Sequence, residues 1–135
     1  MFFYENPHAQ ITLQFKLIKK MTQLNQSKYG LFGKLKAKPG KVNELASILL
    51  QAAKLVSNAK GCRLYIVSKD TRDAGWIWVT EVWDSKDDHD NSLEIEGCRM
   101  LISNAMPLID GQPEQGTVLE VIGGKGINGN QLSSL

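Results

Sequence analysis

The side chains best suited to chemistry lie between residues 76 and 90. Three tryptophans, Trp76, Trp78 and Trp83, occur close together and are followed by His89. Histidine is the side chain that most readily exchanges a proton near neutral pH, and indole adds a hydrogen-bond donor to a large apolar surface. Such a group is typical of a protein core or a subunit interface and, somewhat less often, of a pocket for an aromatic ligand.

The segment 84–90 places four carboxylates around His89, which are oxygen and nitrogen groups that a metal could use. The segment lacks the glycine and the terminal glutamate of a calcium loop. Acidic residues are also favoured at the start of a helix by the helix dipole. We therefore interpret Asp87 and Asp88 as the first turn of a helix capped at Ser85, and we predict no metal site.

Further candidate pocket residues lie on predicted strands near the tryptophans. Phe32 and Tyr65 are aromatic, and the guanidinium of Arg63 could hold an anionic oxygen. A lone arginine more often belongs to a surface ion pair, and the aromatic residues could equally form a core or an interface. The predicted substrate-binding residues are Phe32, Arg63, Tyr65 and Trp78.

The composition is that of one soluble domain, since 135 residues with 42% hydrophobic side chains support a single core. A net charge of +2 is too small to indicate nucleic acid or an anionic membrane as partner. No stretch approaches the roughly 18 apolar residues of a membrane span, and no secretory leader pattern is present. Cys62 and Cys98 form no metal or redox motif. We expect a cytoplasmic protein with reduced thiols.

Hydrophobic periodicity predicts the order β-α-β-β-α-β. The predicted strands are 29–38, 62–69, 76–83 and 117–122, and the predicted helices are 42–56 and the region from 86 to Pro107. This order is the signature of a ferredoxin-like α+β plait, in which two helices cover one face of a four-stranded antiparallel sheet. Residues 11–17 alternate like a half-buried strand, and the first twenty residues are interpreted either as an upstream extension or as a strand added at a sheet edge. We divide the chain into an N-terminal extension (1–27), a domain (28–124) and a C-terminal tail (125–135).

The predicted strands are apolar on both faces. Ile77 and Trp83 point one way, whereas Trp76 and Trp78 point the other way. Because two helices cover only one face, the second face needs a partner. A second copy of the chain is the simplest partner, so we predict a homodimer whose sheets face each other.

Three short motifs resemble those of the antibiotic biosynthesis monooxygenase family. They are Tyr-Gly-Leu-Phe-Gly at 29–33, Lys-Pro-Gly-Lys at 38–41, and Glu-Val-Trp-Asp-Ser at 81–85 followed by His89. Members of the family are dimeric α+β barrels, and characterised ones oxidise phenols or quinols with molecular oxygen without flavin, haem or metal. The resemblance implies a cofactor-independent monooxygenase that deprotonates a small phenolic or quinol-type substrate, whose anion then passes an electron to oxygen.

Compared position by position, the resemblance implies catalytic roles for Trp83 and His89, which match the family's Trp-acid-Ser-x-x-x-His segment. A second histidine common three residues later is Ser92 here. The haem-degrading branch pairs its tryptophan with an asparagine on the first strand, where this chain has Gly33 or Lys34, so haem degradation is not expected. Two alternatives stay open: a non-catalytic dimeric ligand-binding or stress-response protein, and a structural dimer without a cavity.

Overall fold

The computed structural model describes residues 6–24 and 27–127. The strands are β1 (Lys28–Lys36), β2 (Cys62–Lys69), β3 (Trp76–Trp83) and β4 (Thr117–Val121), and the helices are α1 (Pro7–Leu24), α2 (Val42–Val56), α3 (Lys86–Ser92) and α4 (Cys98–Ala105), with a 3-10 turn at Met106–Leu108. All strand pairs are antiparallel, in the order β2-β3-β1-β4. The predicted ferredoxin-like α+β fold is confirmed.

The core lies between one face of the sheet and the helices α2 and α4. Leu45 of α2 and Ile77 of β3 are fully buried there, and Ala105 of α4 belongs to the same cluster. The apolar residues of α2 recur at three and four positions, which forms one apolar helix face, and this face packs on the sheet. The opposite face of the sheet carries Trp78, which remains 39% exposed.

The predicted second helix is divided into α3 and α4. Ser85 caps α3 as expected, since its hydroxyl oxygen accepts a hydrogen bond of 3.1 Å from the amide of Asp88. Gly97 adopts a left-handed conformation, with φ of 91°, immediately before α4. Because residues with a side chain are strained at such a φ, a glycine there allows the chain to change direction between the two helices.

The prediction of a strand over Ile11–Leu17 is wrong, because these residues belong to α1. Asn6 caps this helix: its Oδ1 accepts a hydrogen bond of 3.0 Å from the amide of His8. Pro7 occupies the first helical position, where its fixed φ fits and its missing N–H costs nothing. The apolar side chains of α1 between residues 11 and 18 are exposed, with Phe15 at 69%.

The proposed division at 1–27, 28–124 and 125–135 stays a prediction. In the tail, Ile127 is buried. Residues 128–135 of the predicted tail, and residues 1–5 and 25–26 of the predicted extension, lie outside the described residues. No described helix is both long and apolar enough to cross a membrane.

Candidate active site

A cavity of about 140 Å³ lies between the helix-covered face of the sheet and helices α2, α3 and α4. Most of its lining is apolar, while its polar residues are Tyr65, Glu81, His89, Ser92 and Cys98. A second cavity of about 230 Å³ shares the lining residues Leu49, Tyr65 and Glu81. Since an apolar cavity of about 150 Å³ suffices to bind benzene, the first cavity has room for one aromatic ring.

Glu81 lies on β3, where the alternation of the strand directs it toward the helices together with Val79 and Trp83. The indole Nε1 of Trp83 donates a hydrogen bond of 3.1 Å to Oε1 of Glu81. Burial raises the pKa of Glu81, and the hydrogen bond from Trp83 and the nearby His89 oppose this effect in part. A carboxyl group whose pKa is raised in this way is well suited to accept a proton.

His89 lies on α3, which the cap at Ser85 fixes directly after β3. Its ring is 5.5 Å from the ring of Tyr29 and 5.8 Å from that of Trp83, which it meets edge-on. Its Nε2 is 3.9 Å from Oε1 of Glu81, and its Nδ1 is 2.9 Å from Oδ1 of Asp90. The imidazole therefore lies between a largely buried acid, Glu81, and a more exposed acid, Asp90.

Tyr65 lies on β2 opposite Glu81 in the sheet. Burial, and then the charge of Glu81, raises the pKa of its phenol far above the ordinary value. The hydroxyl makes no hydrogen bond to any described residue. Tyr65 thus stays neutral and can donate a hydrogen bond to a ligand in the cavity.

The two cysteines, Cys62 on β2 and Cys98 on α4, are near the same carboxyl group. Burial, and then the charge of Glu81, raises the pKa of each thiol. Both are free thiols. Because the thiolate is the reactive form, a raised pKa makes these two groups poor nucleophiles at neutral pH.

Residues 29–100 match the family described as antibiotic biosynthesis monooxygenase. The chain belongs to this family. A crystal structure from Chloroflexus aurantiacus J-10-fl, assigned as an antibiotic biosynthesis monooxygenase, is 39% identical over 75% of this chain and 99% of its own, with a TM-score of 0.68. No protein with a curated description matches this chain.

More distant structures share the fold alone. One from Caulobacter crescentus CB15, also assigned as an antibiotic biosynthesis monooxygenase, is 22% identical over 78% of this chain and 99% of its own, with a TM-score of 0.66. Rv0793 from Mycobacterium tuberculosis is 16% identical over 73% of this chain and 99% of its own, with a TM-score of 0.65. The family match over residues 29–100 and the 39% identical structure confirm the resemblance derived from the three motifs.

Of the two residues of the family's Trp-acid-Ser-x-x-x-His segment, only His89 lines the cavity. Trp83 is fully buried behind it, where it contacts Glu81 and the His89 ring. Its position suits a residue that orients these two groups. Of the predicted substrate-binding residues, Tyr65 lines the same cavity.

Phe32 and Trp78 lie on the opposite face of the sheet from His89. Phe32 is the register partner of Thr80, and Trp78 that of Lys34, so both alternate away from Glu81. The indole Nε1 of Trp78 donates a hydrogen bond of 2.9 Å to Asp70. The structure therefore does not bring these two residues together with the cavity.

Arg63 lies at a β-bulge between Cys62 and Leu64, which interrupts the alternation of β2. Its guanidinium forms two hydrogen bonds with Asp84, of 2.8 and 3.0 Å, and Lys28 adds a third contact of 3.1 Å. These donors hold the pKa of Asp84 below its usual value. The guanidinium is thus engaged in a partly exposed ion pair, the alternative that the sequence left open.

The other acids of segment 84–90 also contact protein groups or belong to the start of a helix. Asp90 is contacted by Lys86 at 2.6 Å and by His89. Asp87 and Asp88 form the first turn of α3, as predicted. Within the described ranges, no group of three or more histidine, cysteine or acidic side chains is placed to hold a metal ion.

Glu81 is the site residue to which the sequence analysis assigned no role, although it belongs to the family motif at 81–85. A signal was present in the strand pattern. Position 81 lies on the same strand face as Ile77 and Val79, which face the core. An acidic side chain at such a position is rarely buried, and a buried one is a candidate for a functional role.

Proposed function

We propose that the protein is a cofactor-independent monooxygenase that oxidises a small phenolic or quinol-type aromatic compound with molecular oxygen. Membership in the family supports a monooxygenase-like function. The observation that carries the proposal is the apolar cavity with Tyr65, Glu81 and His89 together on its lining. The apolar part suits an aromatic ring, and the polar residues suit its hydroxyl group.

The proposed reaction begins with removal of the hydroxyl proton of the substrate, assisted by His89. The resulting anion is electron-rich and passes one electron to oxygen, after which the two radicals combine. For a quinol, the balanced sum is quinol plus O₂ giving hydroxyquinone plus water. The substrate thus supplies all four electrons that oxygen takes up.

The protein would contribute enclosure, orientation and stabilisation of the anion. Tyr65 is placed to donate a hydrogen bond to the oxyanion, because its phenol is neutral and has no partner among the described residues. Trp83 would keep Glu81 and His89 in position. We further propose that the protein acts as a cytoplasmic homodimer.

The test is oxygen uptake by the purified protein with a panel of dihydroxyaromatic compounds. A positioned acid-base group contributes about a hundredfold to ten-thousandfold, so we expect His89→Ala to lower kcat on that scale while circular dichroism shows an intact fold. His8→Ala is the matched control, because His8 is an exposed residue of α1. Oxygen uptake no faster than in buffer, or a fully active His89→Ala variant, would contradict the proposal.

The second candidate function is binding of an aromatic ligand without turnover. One observation favours it: Ser92 lines the cavity at the position where the resemblance leads one to expect a second histidine. In that case the ligand would bind saturably and quench tryptophan fluorescence, and His89→Ala would leave affinity and oxygen uptake unchanged.

A further inference from the structure

We infer that Glu81, His89 and Asp90 form a proton path from the cavity to the protein surface, in which Glu81 is the first acceptor of the substrate's hydroxyl proton. This inference rests on the proposed function, and it assigns His89 the second place in the path. Glu81 would be the catalytic residue, and Asp90 the group that releases the proton to water.

The two oxygens of Glu81 have different surroundings. Oε1 accepts the hydrogen bond from Trp83 and is the oxygen nearest to His89. Oε2 accepts no hydrogen bond from the described residues. It is not completely buried, because the described residues include no completely buried side-chain oxygen that lacks a hydrogen-bond partner. Since Glu81 lines both cavities, Oε2 is open to a ligand. A proton taken up at Oε2 reaches the side facing His89 by a half-turn of the carboxyl group.

The imidazole of His89 can transfer a proton without a flip of its ring. It accepts a proton at Nε2, which faces Glu81, and releases another from Nδ1, which faces Asp90. The gap of 3.9 Å on the Glu81 side exceeds a hydrogen bond by about 1 Å. A small side-chain rotation closes it, and such contacts are often long before a ligand binds.

Exposure rises along the path. The side chains of Glu81 and His89 are 13% and 14% exposed, whereas that of Asp90 is 44% exposed. Lys86 and His89 lower the pKa of Asp90, so a proton that reaches this carboxylate passes readily to bulk water. The substrate loses one proton, each member returns to its initial state, and water receives the proton.

Other titratable groups near the path do not replace its members. The hydroxyl of Tyr65 and the thiols of Cys62 and Cys98 face Glu81 from β2 and α4, and burial and the charge of Glu81 keep all three protonated at neutral pH. Lys86 contacts Asp90 from the solvent side. Glu81 is therefore the acid in the cavity lining that can accept the proton.

The first experiment measures steady-state oxygen uptake. Glu81→Gln preserves an oxygen for Trp83 but removes the acceptor, so we expect kcat to fall by about a hundredfold or more with little change in KM. Asp90→Asn should cause a smaller drop that added imidazole buffer restores, because a soluble base replaces the lost carboxylate. Asp87→Asn, at an exposed acid of the same helix, should leave the rate independent of buffer concentration.

The second experiment needs no turnover. A dihydroxyaromatic ligand bound without oxygen should show phenolate absorbance with the wild type and not with Glu81→Gln. In the ligand-free protein, the NMR signals of the His89 ring should show a pH step caused by Glu81 that is absent in Glu81→Gln.

The outcomes separate the two proposals. If the bound ligand shows phenolate absorbance with the wild type and not with Glu81→Gln, but no substrate is oxidised, the proposed function fails and the role of Glu81 as proton acceptor stands. If Glu81→Gln turns over like the wild type, or its His89 signals titrate like those of the wild type, the proton path is overturned while the oxygenase function can stand.

Discussion

Burial of the Glu81 carboxyl group affects stability in a pH-dependent way. Its pKa is raised in the folded protein, so folding favours the protonated form. The resulting stabilisation is fully present below the ordinary glutamate pKa of about 4.3 and is lost as the pH rises through the higher folded pKa. A largely buried carboxyl group that costs stability at neutral pH is better explained by chemistry than by stability.

We therefore predict that Glu81→Gln melts at a higher temperature than the wild type at pH 8, and that the difference shrinks or reverses at pH 4. The amide carries no charge to bury and still offers an oxygen to the Trp83 indole. Thermal melts at the two pH values measure this difference. Glu94→Gln is the control, because Glu94 is exposed and pairs with Arg99 at the surface. A difference that stays constant with pH would contradict the prediction.

At this scale the sequence indicated part of the site. His89 was found because histidine and the motif around it both point to chemistry. The contacts of Arg63 with Asp84 were not predicted, because a β-bulge interrupts the strand alternation at this position. Glu81 was missed because a single acid in a strand shows its importance only when its burial is known.

At the scale of elements, the sequence predicted β2 and β3 to the residue and the apolar face of α2 over its whole length. Their apolar periods are regular and end at Gly, Pro or turn residues. The break between α3 and α4 was missed, because Gly97 does not disturb the apolar spacing of the region. Its effect comes from a backbone conformation that the pattern of side chains does not report.

Helix α1 shows how periodicity can mislead when the start signal is ignored. Ile11, Leu13, Phe15 and Leu17 alternate as in a strand, but Ile11 and Phe15 are also four residues apart, as in a helix. The Asn6-Pro7 pair was the deciding signal, since it combines a cap with a favoured first residue.

We predict that removing residues 1–20 leaves the fold intact. The side chains of residues 6–18, such as Leu13 and Phe15, are exposed, so their loss removes little buried surface from the domain. Thermal melting of the truncated chain, starting at Met21, should remain cooperative with a midpoint close to that of the full chain. Loss of the cooperative transition would show that the segment is required for folding.

At the scale of the whole molecule, the sheet face turned away from the helices is an exposed apolar surface. Ile66 is 46% exposed there and Trp78 39%, and both alternate with residues that face the core. Thr80 lies at the centre of this face, because it pairs with Ile66 on one side and with Phe32 on the other. An apolar face of this kind on a small domain typically marks an interface.

The homodimer therefore remains our prediction, with this sheet face as the interface. Specific interfaces bury more than about 1,000 Å² in total, so a charge at the centre should be costly, since it would lose water without gaining a partner. Sedimentation at micromolar concentration should give about twice the mass of 15.0 kDa for the wild type and a single chain for Thr80→Arg. Leu50→Arg, at an exposed position of α2, should stay dimeric. A monomeric wild type, or a dimeric Thr80→Arg variant, would show that the sheet face is not the interface.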